Sequence, residues 1–347
     1  MNAAIDRNRL QPQASPFDLG NEAAYQRWRA DKLARRARCV DDLIVDVADA
    51  KALSAGERQA LLQRCADWNM AVYRIADCLP DKDIARAVGG QLGLRRLDAN
   101  WLADEDGISS ITASRTSPPT PLHAGPPEGE RSAWGDPAPT RRDGRGGFIP
   151  YTDRPLKWHT DGYYHPLEQR IQAMLLHCVR PAASGGLTSL LDHELAYIAL
   201  RDASPRWVQA LMAPDAMTIP GRQSDDGDPG VARPAQAGPV FSVDPLGRAL
   251  HMRYTARTRS IEWKDDAATL KAVAFLERYL AEANPDVLHL RLESGMGIVA
   301  NNVLHARSAF VDDPAQPRLL YRARYLDRVA EPERLTVCAS RAARSSH

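Results

Sequence analysis

From Ile171 onward the chain carries short apolar runs closed by turn residues, with helices between them only at irregular intervals. Ile171 to Val179 is followed by a turn at Ser184-Gly185-Gly186 and then by Leu187 to Leu191. Val287 to Glu293 alternates and sets Leu288, Leu290 and Leu292 on one face, and Gly297 to Val303 and Arg318 to Tyr325 are further runs. A doubly wound parallel sheet needs a helical crossover between most of its strands, and this order does not supply them. The pattern predicts a mainly β chain with helices (α+β), an antiparallel sandwich or jelly roll with helices packed outside.

The helices announce themselves locally. Asn21 to Arg38 reads as an exposed charged helix. Ser54-Ala-Gly-Glu57 is a capping box that opens a helix from Gly56 to about Asn69, with Leu61, Leu62 and Cys65 on its buried stripe. Ser204-Pro205 reads as an N-cap followed by proline at the first helical position, and Asp266 to Ala283 carries Leu270, Val273, Leu276 and Leu280. Residues 114–150 are crowded with Pro, Gly and Arg and predict a long loop or lid, because proline removes backbone donors and glycine adds chain entropy. A second breaker-rich stretch runs from Gly221 to Pro239. The expected division is an N-terminal helical or mixed portion (1–113), the loop (114–150) and a mainly β core (151–347), integrated into one domain.

Composition excludes several classes. Lys and Arg number 45 against 44 Asp and Glu, so no global positive field exists to hold nucleic acid. No apolar run reaches the roughly 18 residues of a spanning helix, and the start lacks the apolar stretch of a secretory signal. Five scattered cysteines without a CxxC pair read as reduced thiols, so a cytoplasmic location is expected. A homo-oligomer is compatible with these features.

Chemistry concentrates in Trp158-His159-Thr160-Asp161-Gly162-Tyr163-Tyr164-His165. At a strand end His159 and Asp161 project to one face, offering an imidazole and a carboxylate, two thirds of the facial triad that suits non-haem iron. The third ligand must come from far along the chain. His305, directly after an apolar run, is favoured; His165 and His251 stay open, whereas His177 and His289 read as strand histidines. In the last run alternation puts Arg318, Leu320, Arg322 and Arg324 on one face and Leu319, Tyr321, Ala323 and Tyr325 on the other. The arginine face must meet either solvent or a polar cavity, since an unpaired buried guanidinium is costly.

Trp158-His-Thr-Asp161, Gly185-Gly186-Leu-Thr188 with Asp192, Asn302-Val-Leu-His305-Ala-Arg307-Ser-Ala-Phe310 and Arg318-Leu-Leu-Tyr-Arg322 occur in that order. The set resembles the Fe(II)- and 2-oxoglutarate-dependent dioxygenases of the taurine dioxygenase and clavaminate synthase-like family, over about Pro150 to Arg328. The resemblance implies a double-stranded β-helix (cupin-like) core, iron on His159, Asp161 and His305, and 2-oxoglutarate held by Thr188 and Arg318. It also implies that O2 is consumed and that Arg322 grips an anionic group of the substrate. Arg307 fits the family pattern without an assigned role. Tyr163, Tyr164 and Trp101 are candidate pocket residues, and the substrate expected is a small anionic or zwitterionic metabolite. Pro155 stands where the taurine enzyme has a polar residue, which argues against a taurine pocket. Asp161 leaves no vacated position for a halide. Two other readings stand against it: a non-catalytic jelly-roll binding protein, which would not need the triad with Thr188 and Arg318, and a zinc hydrolase using His159, Asp161 and His165, whose spacing matches no helix-borne zinc motif.

Overall fold

The computed structural model describes residues 15–76, 80–98, 104–113, 149–222, 232–257, 261–281 and 283–331. The 114–150 loop, apart from its last two residues, lies outside them, as do Trp101, Cys78, Cys338 and part of the 221–239 stretch.

Two sheets face each other. The larger runs in the order Ile44–Asp46, Met70–Arg74, Met296–Ala300, Ala173–Arg180, Leu319–Tyr325 and Ser109–Ile111. Its first pair is parallel and the others are antiparallel. The smaller runs Leu288–Leu290, Thr188–Leu191, Leu304–Arg307, Leu156–His159, all antiparallel. From Leu156 on, the chain passes back and forth between them. Their facing sides share one apolar cluster, with Met174, Cys178, Ile298 and Leu320 from the larger sheet and Leu190, Leu288 and Leu290 from the smaller. Met296–Ala300 is central and buried along its whole length, which is why its sequence, Met-Gly-Ile-Val-Ala, is apolar throughout instead of alternating. Gly297 is required there: a Cβ would stand 2.2 Å from the Tyr73 ring.

Helices cover both outer faces. Ala55–Trp68 and Asp83–Gln91 set Leu61, Leu62, Cys65, Ala85 and Val88 against Tyr73, Leu175, Val299 and Ala323 of the larger sheet. His193–Ala203, Pro205–Leu211 and Ala267–Ala281 pack on Leu191 and Leu304 of the smaller. The capping box forms as its sequence predicts, with Ser54 accepting from the Glu57 N–H and Asn69 closing the helix in the left-handed region. Residues before 113 supply three strands of the larger sheet as well as helices, so this portion is hydrogen-bonded into the sheet. Among the described residues no helix is long and apolar enough to cross a membrane.

Two local expectations need correction. Ser204 does not cap with its side chain, and Pro205 alone marks the helix start. Leu270 points outward, 45% exposed, because Thr269 and Ala272 take the inner stripe with Val273, Leu276 and Leu280.

Buried histidines make the fold sensitive to acid. His177 receives or gives a hydrogen bond at Tyr73 Oη (2.9 Å), and burial pulls it down to about 4 despite Asp81. Burial likewise holds His251 near 3. Between those values and the unfolded 6.5 the unfolded chain binds more protons, so stability falls as pH drops through that window. We expect the melting temperature to fall by several degrees between pH 7.5 and pH 5, and His177→Gln to show a smaller fall; equal pH slopes would remove His177 from the account.

Candidate metal centre

The site grows from one cross-strand pair. His159 ends Leu156–His159, His305 lies in Leu304–Arg307, and the two residues are direct partners in the antiparallel register. Leu190, on the other side of His305, belongs to the cluster between the sheets, so the pleat turns His305 inward. The imidazole centroids are 4.1 Å apart. In both rings Nδ1 lies beside a backbone carbonyl, Lys157 O at 2.8 Å for His159 and Val303 O at 3.0 Å for His305. A carbonyl can only accept, so Nδ1 carries the proton and Nε2 keeps its lone pair for a ligand.

Asp161 completes the group: one donor atom from each of His159, Asp161 and His305 falls within 4.8 Å of the others. Its Oδ2 is buried without a hydrogen-bond partner. Burial by itself would raise this carboxyl, but Arg322 and Arg324 outweigh it and hold the group well below the usual carboxylate range. Burial, reinforced by His305, holds His159 near 3 against the pull of Asp161. An ionised carboxylate with an orphaned oxygen beside a neutral imidazole is a donor set ready for a cation, and one anion with two neutral nitrogens in a facial arrangement suits Fe(II).

What places Asp161 is a residue that the sequence reading quoted but gave no role. Asn302 Oδ1 accepts from the Asp161 N–H (2.7 Å), and Asn302 Nδ2 donates to Asp161 O (3.0 Å) and Ile171 O (2.8 Å). Asn302 has φ +51° and is 1% exposed. The signal was present: an Asn-Asn pair between a strand and a histidine favours the left-handed region, where asparagine is tolerated.

Facing the triad, the last strand presents Arg322 and Arg324 on its inner side, opposite Leu176 and Met174. The polar-cavity alternative for these arginines is the one observed. Arg322 Nη1 stands 3.7 Å from Asp161 Oδ1, and its Nε is buried without a partner. Arg324 pairs with Asp98 at 2.6 Å and donates to Tyr164 Oη at 3.0 Å. Arg318 precedes a register shift between Leu319 and Leu320, and its guanidinium lies 5.0 Å over Phe310, whose ring Arg307 also covers at 4.7 Å. Burial pulls both guanidinium groups down to about 10. Among the described residues no carboxylate comes within ion-pair distance of Arg318, which is 6% exposed. Arg307 donates to Thr152 O (2.8 Å) and to Arg154 O, so it ties down the segment that leads into His159. Thr188 is buried directly across from Arg307. Gly185, at φ +72°, makes the turn before it possible, since a Cβ would meet Ala309 O at 2.4 Å.

The remaining candidates separate. His251 is not part of the cluster; its Nε2 meets Ile171 O at 3.0 Å. His165 faces Asp98 at 3.9 Å and also lies outside it. His289 sits beside Ser189 Oγ at the exposed face of its strand.

Two facing sheets carrying a buried two-histidine, one-carboxylate group define a non-haem metal oxygenase class of site. A family model described as taurine catabolism dioxygenase TauD, TfdA family matches residues 119–324, and the chain belongs to that family of iron- and 2-oxoglutarate-dependent dioxygenases. A uridine-5'-phosphate dioxygenase from Streptomyces sp. is 34% identical over 201 residues, 56% of this chain and 70% of that protein. One of the same name from Amycolatopsis sp. is 32% identical over 179 residues, 49% and 60%. Among solved structures, asparagine oxygenase with Fe(II), 3-hydroxyasparagine and succinate superposes with TM-score 0.51 at 16% identity, over 91% of this chain and 86% of that one. The non-haem iron oxygenase OrfP with Fe, succinate and 3S-hydroxy-L-arginine gives 0.53 at 16% identity, over 80% and 82%. At such identity these two likenesses speak for the fold alone.

The Asn302 clamp generates a prediction. Asn302→Ala and Asn302→Gly should each weaken metal binding by about ten- to a hundredfold, the range for residues that orient ligands. Cobalt titration of the metal-free protein, read by absorbance, measures it. Glycine relieves the positive φ, so an equal loss in both variants separates the side chain from backbone strain; unaltered affinity in both would dismiss the clamp.

Proposed function

We propose that this protein hydroxylates a C–H bond of a small anionic metabolite, coupled to oxidative decarboxylation of 2-oxoglutarate to succinate. The observation that carries the reading is the convergence of His159, Asp161 and His305, with Nδ1 of both imidazoles engaged and Asp161 Oδ2 left free. The two facing sheets, between which the chain alternates, are read as a double-stranded β-helix core. Iron and 2-oxoglutarate, when bound, supply the oxidising power from O2, and the protein supplies position, charge and dryness.

His159, Asp161 and His305 hold the iron. Arg318 takes the far carboxylate of 2-oxoglutarate in its fork, with the Thr188 hydroxyl as a second donor; a buried cation without a carboxylate partner calls for such an anion. Arg307 keeps the approach to His159 fixed and adds positive charge beside Arg318. Arg322, with its unpartnered Nε, meets an anionic group of the substrate while holding Asp161 ionised. Tyr163 and Tyr164 line the substrate side. The named activity of the two curated relatives supports a phosphorylated nucleoside as the substrate class.

Anaerobic addition of Fe(II) and 2-oxoglutarate should produce a weak visible absorption band, and His159→Ala should abolish it; a band that survives takes His159 out of the ligand set. Arg318→Ala should weaken 2-oxoglutarate binding by about a hundredfold, two charge-assisted hydrogen bonds' worth. Arg322→Ala should instead uncouple the two half-reactions, raising succinate released per substrate consumed above one, and raise substrate KM, with 2-oxoglutarate affinity little altered. Equal losses in both would contradict the separation of the two roles.

A further inference from the structure

Two arginines beside the metal centre have no part in the roles above. Thr255 pairs with His159 in an isolated bridge, so the segment after it leaves the triad alongside the strand that carries the first ligand. Two residues on, Arg257 stands over the ring of Tyr163, with Cζ 5.8 Å from the centroid. Tyr163 itself is two residues past Asp161, and Arg253 Nε holds its carbonyl at 2.7 Å. Arg233 stands over the neighbouring ring, Tyr164, also at 5.8 Å, while the Tyr164 hydroxyl accepts from Arg324. The two rings meet edge to face with centroids 5.3 Å apart. A pair of cations is thus laid over a rigid aromatic pair whose backbone runs directly out of the metal-binding loop.

The charge here is unbalanced among the described residues. Among the described residues no carboxylate lies within ion-pair distance of Arg233 or Arg257. Arg233 Nη1 is buried with no hydrogen-bond partner, a costly state for a guanidinium that is only half-buried overall and could turn to water. Burial holds its guanidinium below the ordinary value, although Tyr163 and Tyr164 pull the other way, and Arg222 and Arg257 add repulsion. Cation–π contact with the tyrosines restrains both side chains, which lowers the entropy cost of closing on a ligand.

We propose that Arg233 and Arg257, laid over Tyr164 and Tyr163, form a subsite that takes the phosphate monoester of the substrate. Two planar forks suit a dianion with three acceptor oxygens better than a carboxylate, for which Arg322 would suffice. This rests on the oxygenase reading and, for a phosphorylated nucleoside, moves the anion contact away from Arg322: Arg318 serves the cosubstrate, Arg322 holds Asp161 ionised beside the metal-side end of the substrate, and Arg233 with Arg257 take its phosphate.

Calorimetric titration of the anaerobic protein loaded with Fe(II) and 2-oxoglutarate tests it, with uridine-5'-phosphate, uridine and inorganic phosphate as probes. The wild type should bind uridine-5'-phosphate more tightly than uridine, and inorganic phosphate should compete. Arg233→Gln and Arg257→Gln should each weaken uridine-5'-phosphate binding by about ten- to a hundredfold and leave uridine binding as in the wild type. Arg233→Lys and Arg257→Lys, which keep the charge, should recover part of the loss and serve where the glutamine variants fail to fold. Equal binding of uridine and its phosphate by the wild type, no measurable binding of the phosphate, or parallel loss of both ligands in the variants would overturn the subsite. The absorption band of the iron and 2-oxoglutarate complex is read in the same samples. Its absence from the wild type sinks the oxygenase reading and leaves the titrations to judge the subsite alone.

Discussion

The pairing of His159 with His305 across two antiparallel strands is the constraint on which the site depends. A slip of one residue would turn either imidazole to the other face of the smaller sheet, toward the helices, and the group would not form. The register is protected from both ends. Leu304, beside His305 on its strand, is set beneath the helices, and Leu190, opposite His305 on the neighbouring strand Thr188–Leu191, lies between the sheets. Asn302 then links the loop before His305 to the backbone of Asp161, so the third donor is placed by the same pair of strands.

Charge is the second organising quantity. The space between the sheets receives Arg307, Arg322 and Arg324 from strand faces that would otherwise be apolar, with Arg318 at its edge. Asp161 and Asp98 answer Arg322 and Arg324. Arg307 is satisfied largely by backbone carbonyls, and among the described residues Arg318 meets only the face of Phe310 and, at longer range, the Asp312 carboxylate. Such an interior is electrostatically short of anions, and desolvation makes the shortage felt. A keto diacid and a phosphorylated substrate would each bring the missing charge, which ties the fold's least comfortable side chains to the chemistry proposed for it.

Much of this was legible in the chain. The capping box at Ser54 and Glu57, the alternation of Leu288 with Leu290, and the unbroken apolar run of Met296–Ala300 report local geometry, because caps and pleats act over a few residues. The histidine, aspartate, threonine and arginine motifs could be quoted in order for the same reason. Harder to read was anything that depended on a neighbour distant in sequence. Leu270 looked like stripe, yet the helix is turned so that Thr269 and Ala272 face inward. Arg307 fitted a pattern without a purpose until the carbonyls of Thr152 and Arg154 were seen beneath it.

The amino-acid sequence by itself determined which elements form and which side chains carry donors, since propensity, capping and period are properties of short stretches. Tertiary structure alone decided which histidine joins His159 and Asp161, whether the arginines of the last strand face water or each other's counterions, and that Arg233 and Arg257 stand together over two tyrosines. Those outcomes are set by strand register and by burial, and both come into being only when segments far apart in the chain are packed against one another.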